Sequence, residues 1–150
     1  MSKAALSAIL LAATTMLAGC NQQEDSLRVD EGWVRLAAAP GRPAAAYFTI
    51  HGGDADTRLL SVTTDVAIRS EMHDTTNEGG VMKMAPIDGL DVPADSTIKF
   101  APGGKHLMLF DLNPGIQPNK YVGLVFTFAN GERIEYDAIV RAANAPNPKS

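Results

Sequence analysis

Short runs of β-branched, aromatic and alternating residues are cut off one after another by glycine or proline in this chain. That punctuation constrains the fold more than any other feature, because proline removes a backbone donor and glycine weakens any regular interior. The 150 residues hold 13 Gly and 9 Pro, and the pieces between them are of strand length rather than helix length. Strands are predicted over 27–37, 44–51, 58–63, 66–73, 81–85, 97–100, 105–112, 121–128 and 132–140. Pro40-Gly41-Arg42-Pro43 carries turn chemistry, and Asn130-Gly131 between two β-like runs signals a hairpin with a primed turn. The polar stretch 74–80, ending in Gly79-Gly80, reads as a loop. Nine short strands with no repeat and no internal boundary predict an all-β, single-domain β-sandwich over 27–141. Residues 142–150, with two prolines and two asparagines, read as a flexible tail.

The N-terminus indicates the compartment. Residues 1–19 carry one charge, Lys3, ahead of an apolar stretch too short and too abruptly ended to span a bilayer. This is the pattern of a signal peptide. It ends in Leu17-Ala18-Gly19-Cys20, which resembles the lipobox of bacterial lipoproteins, with Cys20 as the lipidated residue. Residues 20–26 then form a polar tether, and Asn21 in place of Asp favours the outer membrane over the inner. The expected location is the periplasm, on a lipid anchor. Cleavage leaves 131 residues, enough for one domain with a real core, and moves the net charge from −4 to −5. With that charge and no Lys/Arg run, nucleic acid is excluded as a partner.

Cys20 is the only cysteine, so the folded domain has neither disulfides nor thiolate chemistry. Soft sulfur comes only from methionine, which resists disulfide formation and binds metal without losing a proton. Ten residues separate His73 from Met84, and twenty-one separate Met84 from His106. In the alternating run His106-Leu107-Met108-Leu109-Phe110, period-2 geometry puts His106 and Met108 on one face and the leucines on the other. Neutral imidazole with uncharged, polarizable sulfur suits Cu(I) and suits hard cations badly. By the same parity Met72 lies across the strand from His73 and belongs to a core, leaving it at most an auxiliary ligand. Met82 shares a face with Met84 and is a second auxiliary candidate.

Taken singly, each of these residues has a bland alternative. A methionine in a strand is commonly core filler, and His51, followed by Gly52-Gly53, reads as a polar strand end without a partner. Asp54 and Asp56 open like a calcium loop, but the later spaced acids are missing. No nucleophile elbow, phosphate loop or acid–base pair is visible, so no enzymatic activity is expected.

The whole pattern resembles the periplasmic copper chaperone family PCuAC. The resemblance rests on His73, Met84 and His106-Leu107-Met108 at the family spacing, with Trp33, Ala46-Tyr47-Phe48, Glu71-Met72-His73, Val81-Met82-Lys83-Met84 and Pro102-Gly103-Gly104-Lys105 as further landmarks. It implies a cupredoxin-like Greek-key sandwich holding one Cu(I) per domain on His73, Met84, His106 and Met108. It also implies donation to a copper-accepting protein, a cytochrome oxidase subunit or its assembly factor. The chain lacks the His- and Met-rich C-terminal extension of some family members. Two other functions fit the same residues: copper buffering or resistance without a dedicated recipient, and a structural lipoprotein that binds no metal.

Overall fold

A computed structural model describes residues 26–148; the predicted signal peptide, Cys20 and most of the tether lie outside them. Ten strands and no helix are found among these residues: β1 (Arg28–Arg35), β2 (Ala44–His51), β3 (Thr57–Thr63), β4 (Ala67–Glu78) and β5 (Val81–Pro86), then β6 (Leu90–Val92), β7 (Thr97–Phe100), β8 (His106–Leu112), β9 (Tyr121–Phe128) and β10 (Arg133–Arg141). The all-β expectation holds. Two differences from the sequence reading bear on function. Strand β4 runs on through the stretch expected to be a loop, as far as Glu78, and turns at Gly79-Gly80, both with φ > 0, directly into β5. The short strand β6 was not anticipated; it pairs with β3 through Leu90 and Val92.

One hydrogen-bonded path, β5-β4-β8-β2-β1-β10-β9-β3-β6, runs through the fold, with β7 also paired to β2. Strand β2 lets this path wrap around a core. Its first half pairs with β8 (Ala44 to Leu109, Ala46 to Leu107) and its second half with β7 (Phe48 to Phe100, Ile50 to Ile98). The first strand lies parallel to the last, Trp33 opposite Ile139, so the two ends of the sandwich are stitched together in the middle of the path. Where β1 meets β2 a bulge falls between Asp30 and Trp33, with Glu31 at φ 53°. Gly32 in that bulge is packed by the Tyr136 ring, 2.3 Å from where a Cβ would stand, so only glycine fits there without moving the ring.

The core follows from strand parity. In β9 the even residues Val122, Leu124, Phe126 and Phe128 are buried, and in β8 the odd pair Leu107 and Leu109. Phe48 stacks on Phe100 at 4.3 Å and meets Phe126 edge-on at 4.8 Å. Met72 belongs to this cluster, 6% exposed, whereas Met82 on β5 is 57% exposed. The two methionines should therefore differ sharply in stability effect. Met72→Ala opens a core cavity and should cost about 2–5 kcal/mol, and Met82→Ala should stay within about 0.5 kcal/mol. Urea unfolding of both variants checks this, and equal costs would contradict the burial pattern.

Candidate metal centre

Three adjacent strands, β5, β4 and β8, carry all four candidate donors. In the β4–β8 ladder His73 faces His106 and Glu71 faces Met108; in the β4–β5 ladder Thr75 faces Met84 and His73 faces Pro86. Directly opposed residues in an antiparallel pair project from the same face. His73, Met84, His106 and Met108 therefore all stand on one face. The opposite face of the same strands sends Met72, Leu107 and Leu109 into the core. His73 is the hub of the set. It opposes His106 directly and has Met84 and Met108 as diagonal neighbours, a relation that spans about 7–8 Å and lies within reach of long side chains.

The two imidazoles lie nearly face to face, with centroids 5.9 Å apart and planes 28° from parallel. Each ring is oriented by one partner. Nδ1 of His106 lies 2.8 Å from the Gly104 carbonyl. Only an N–H can bond to a carbonyl, so the proton is assigned to Nδ1 and the lone pair to Nε2. The same Gly104 carbonyl accepts the Thr75 N–H at 3.3 Å, tying β4 to the turn that presents His106. Nε2 of His73 lies 3.1 Å from Glu71 Oε2, while its Nδ1 is buried without a hydrogen-bond partner. With Nε2–H donated to the carboxylate, that orphaned Nδ1 keeps its lone pair. A buried nitrogen left so is costly unless something binds it. A soft cation on this face would satisfy it, and outer carboxylate and carbonyl partners of this kind are what hold metal-binding imidazoles in place.

Electrostatics around the hub are set by Glu71. The hydrogen bond from His73 holds its carboxyl below the usual carboxylate range; burial pushes the other way, and contact with Arg69 reinforces the lowering. A lowered carboxyl stabilises the fold above its unfolded-state pKa, and that contribution disappears as pH falls through the folded value. Arg69 in turn lies over the Phe110 ring, 3.8 Å from its centroid. Beside Asp74 and ahead of His106, Lys105 pairs with the Asp74 carboxylate at 2.9 Å. Among the described residues no three His, Cys, Asp or Glu side chains group as a metal site; the thioethers of Met84 and Met108 are the soft side-chain atoms diagonal to His73 on this face.

Exposure varies in order across the site. His106 is 8% exposed, the His73 side chain 12%, Met108 is half-buried, and Met84 is 56% exposed. Beyond Met108 the same face continues through its opposite residue Ala45 to Tyr47, which meets Trp33 at 4.5 Å. Arg35 covers the Trp33 ring at 4.8 Å and holds the Asn147 side chain. Burial pushes the Tyr47 phenol up, against the pull of the Arg35 guanidinium beside it. The sequence reading named Trp33 and Tyr47 only as landmarks; their adjacency depends on the β1–β2 register past a bulge. His51, which had no visible partner, is 3.0 Å from Asp30 and within 3.4 Å of Thr97, on the half of β2 that pairs with β7 and not with β8.

Comparison with known proteins places this architecture. The family model described as "Putative lipoprotein LpqE-like" matches residues 27–140. A relative from Leifsonia xyli subsp. xyli, "Putative lipoprotein Lxx21020", is 29% identical over 111 residues; the match takes in 73% of this chain and 66% of that protein. The copper-bound PCuAC domain from PmoF2 superposes with a TM-score of 0.64 at 20% identity, over 77% of this chain and 92% of that one. The solution structure of CuI-DR1885 from Deinococcus radiodurans gives 0.61 at 27% identity, over 83% of each. The shared architecture is the cupredoxin-like β-sandwich that the sequence resemblance implied. Since the family match runs across the whole sandwich, the chain belongs to the LpqE-like, PCuAC-type family.

Proposed function

We propose that this protein is a Cu(I) carrier that binds one ion on His73, Met84, His106 and Met108 and passes it to a copper-requiring acceptor. The observation that carries this reading is the common face: two lone-pair nitrogens and two thioethers brought together by strand register, one of the nitrogens buried and unpartnered. The copper-bound relatives support it, because PmoF2's domain and DR1885 hold copper on the same fold. The donor set is neutral, so bound Cu(I) keeps its positive charge, and the ionised Glu71 beside His73 offsets part of it. Zn(II) gains little from thioether and is disfavoured. A blue-copper electron carrier requires a thiolate that this domain does not have.

Such a site captures Cu(I) and gives it up to an acceptor with thiolates, which bind the ion more strongly. That chemistry suits donation to the copper centre of a cytochrome oxidase, directly or through its assembly factor. Buffering without a recipient uses the same residues, and only a transfer measurement separates the two. Cys20 would hold the carrier on a membrane, and a tether of about six residues reaches at most ~20 Å. Anchoring so close to the surface raises the effective concentration toward acceptors on that membrane.

Three outcomes are expected. Met84→Leu and Met108→Leu preserve bulk, so stability should change by less than about 1.5 kcal/mol, while Cu(I) affinity in a chelator competition drops at least tenfold. Unchanged affinity in either variant removes that residue from the ligand set. Protons compete with copper for the imidazole nitrogens, so affinity should weaken as pH is lowered from 8 to 5, with the thioethers keeping some binding; a flat profile excludes the histidines. Cell fractionation should recover the protein with membranes, and Cys20→Ala should release it or stall its processing. Wild-type protein found wholly in the soluble fraction would refute the anchor.

A further inference from the structure

The arm formed by the ends of β4 and β5 extends beyond the first residue of β8. His106 begins β8 opposite His73, whereas β4 continues five residues further and pairs only with β5. Every residue of β5 is exposed. Along this arm the donor face carries Met84 opposite Thr75 and then Met82 opposite Asn77. Following β4 outward, the soft donors stand at alternate residues: Met108 at the Glu71 position, the two imidazoles at His73, Met84 at Thr75 and Met82 at Asn77. Each step along a strand is about 6.6–6.8 Å.

Met82 has no packing role that explains it. It is 57% exposed and takes no part in the core. Its neighbour Asn77 is occupied, accepting the Gly80 N–H at 2.9 Å to shape the turn. The other face of the arm holds a Lys83–Glu78 ion pair, so the charged groups point away from the methionines. The result is a thioether at the exposed end of a row of copper donors, too far along β4 to be a neighbour of His73 in the ladder.

Building on the Cu(I) site proposed above, we infer that Met82 is a transfer ligand: it contacts the ion during loading and release but does not hold it at equilibrium. In release, a Cu–S bond to Met82 forms as the bonds from the ion to the buried imidazoles break. The acceptor's donors then replace Met84 and Met82 in turn. The ion remains Cu(I) throughout, and no electron or proton is transferred. The sequence of exposure, from 8% at His106 to 57% at Met82, gives the incoming acceptor a donor it can displace without entering the buried part of the site.

The test uses the full chain, loaded anaerobically with one equivalent of Cu(I) and mixed with excess bathocuproine disulfonate. The Cu(I)–chelator absorbance gives the transfer rate, and chelator competition gives the equilibrium affinity. Met82→Leu and Met82→Gln should each leave affinity within threefold of wild type and slow transfer at least fivefold. The Gln variant tests whether sulfur, rather than side-chain length, is required. A wild-type transfer rate in both variants overturns the inference. So does an affinity loss as large as that of Met84→Leu, which would make Met82 a resident ligand. If wild type itself fails to bind Cu(I), the underlying site reading fails instead, which keeps the two failures distinguishable.

Discussion

Register between β4 and β8 is the constraint on which the rest of this structure depends. Side chains alternate along a strand with a period of two, so a slip of one residue would send His73 into the core and bring Met72 out to the donor face. What prevents the slip lies mostly on the side away from the donor face. Met72 faces Leu107 across the ladder, and both are buried in the central cluster with Leu109. Ser70 fixes the same strand to β3 through a 2.6 Å bond to the Val62 carbonyl. At the other end the Gly104 carbonyl receives both the Thr75 amide and the His106 ring. Hydrophobic burial on one face thus sets ligand geometry on the other, and the donors need contribute nothing to folding.

That separation bears on the proposed Cu(I) site, which a folded domain without cysteine has to build from thioethers and imidazoles. A thiolate would supply both affinity and charge, but in an oxidising compartment it is exposed to disulfide formation and overoxidation. Thioethers avoid this at the expense of donor strength, and the protein compensates by pre-arranging the imidazoles. Gly104 and Glu71 each occupy one ring nitrogen, leaving the other to accept a metal. Ordering has been completed in the fold, so less of the binding energy is spent on fixing side chains.

How much of this was legible in the sequence depended on whether burial left a period. Strands β8 and β9 have one dry face and one wet face, and their alternation identified the leucines as core and His106 with Met108 as a pair on the other side. Met72 could be assigned to the core by the same parity. The stretch after His73 was misread as a loop because the arm buries neither face, so its Asp, Thr, Asn and Glu residues show no alternation. Strand β6 has three residues, too few for a pattern. The partners of His51, Asp30 and Thr97, come from other strands, and nothing in local sequence announces them. The Trp33–Tyr47 contact likewise depends on a bulge at Glu31, where a non-glycine residue takes positive φ. The spacing of histidines and methionines was visible, but their convergence on one face required the register.

A carrier has to hold its ion firmly enough to compete for it and loosely enough to surrender it, and a single rigid cage serves only the first need. On the proposed carrier reading, the two demands fall on different parts of one sheet. His73 and His106 sit where β4 is flanked on both sides and backed by the core, so their positions are fixed by the fold. Met84 sits on a two-stranded arm with both faces in solvent, and an isolated hairpin of that kind is marginally stable in water. The arm carries Met84 outward from the imidazoles and takes no part in the core. In the release order inferred above, the imidazoles held by a carbonyl and a carboxylate let go first, and the thioethers on the exposed arm are the last donors, the ones an acceptor can reach. On this reading, direction of transfer follows from where the sheet ends.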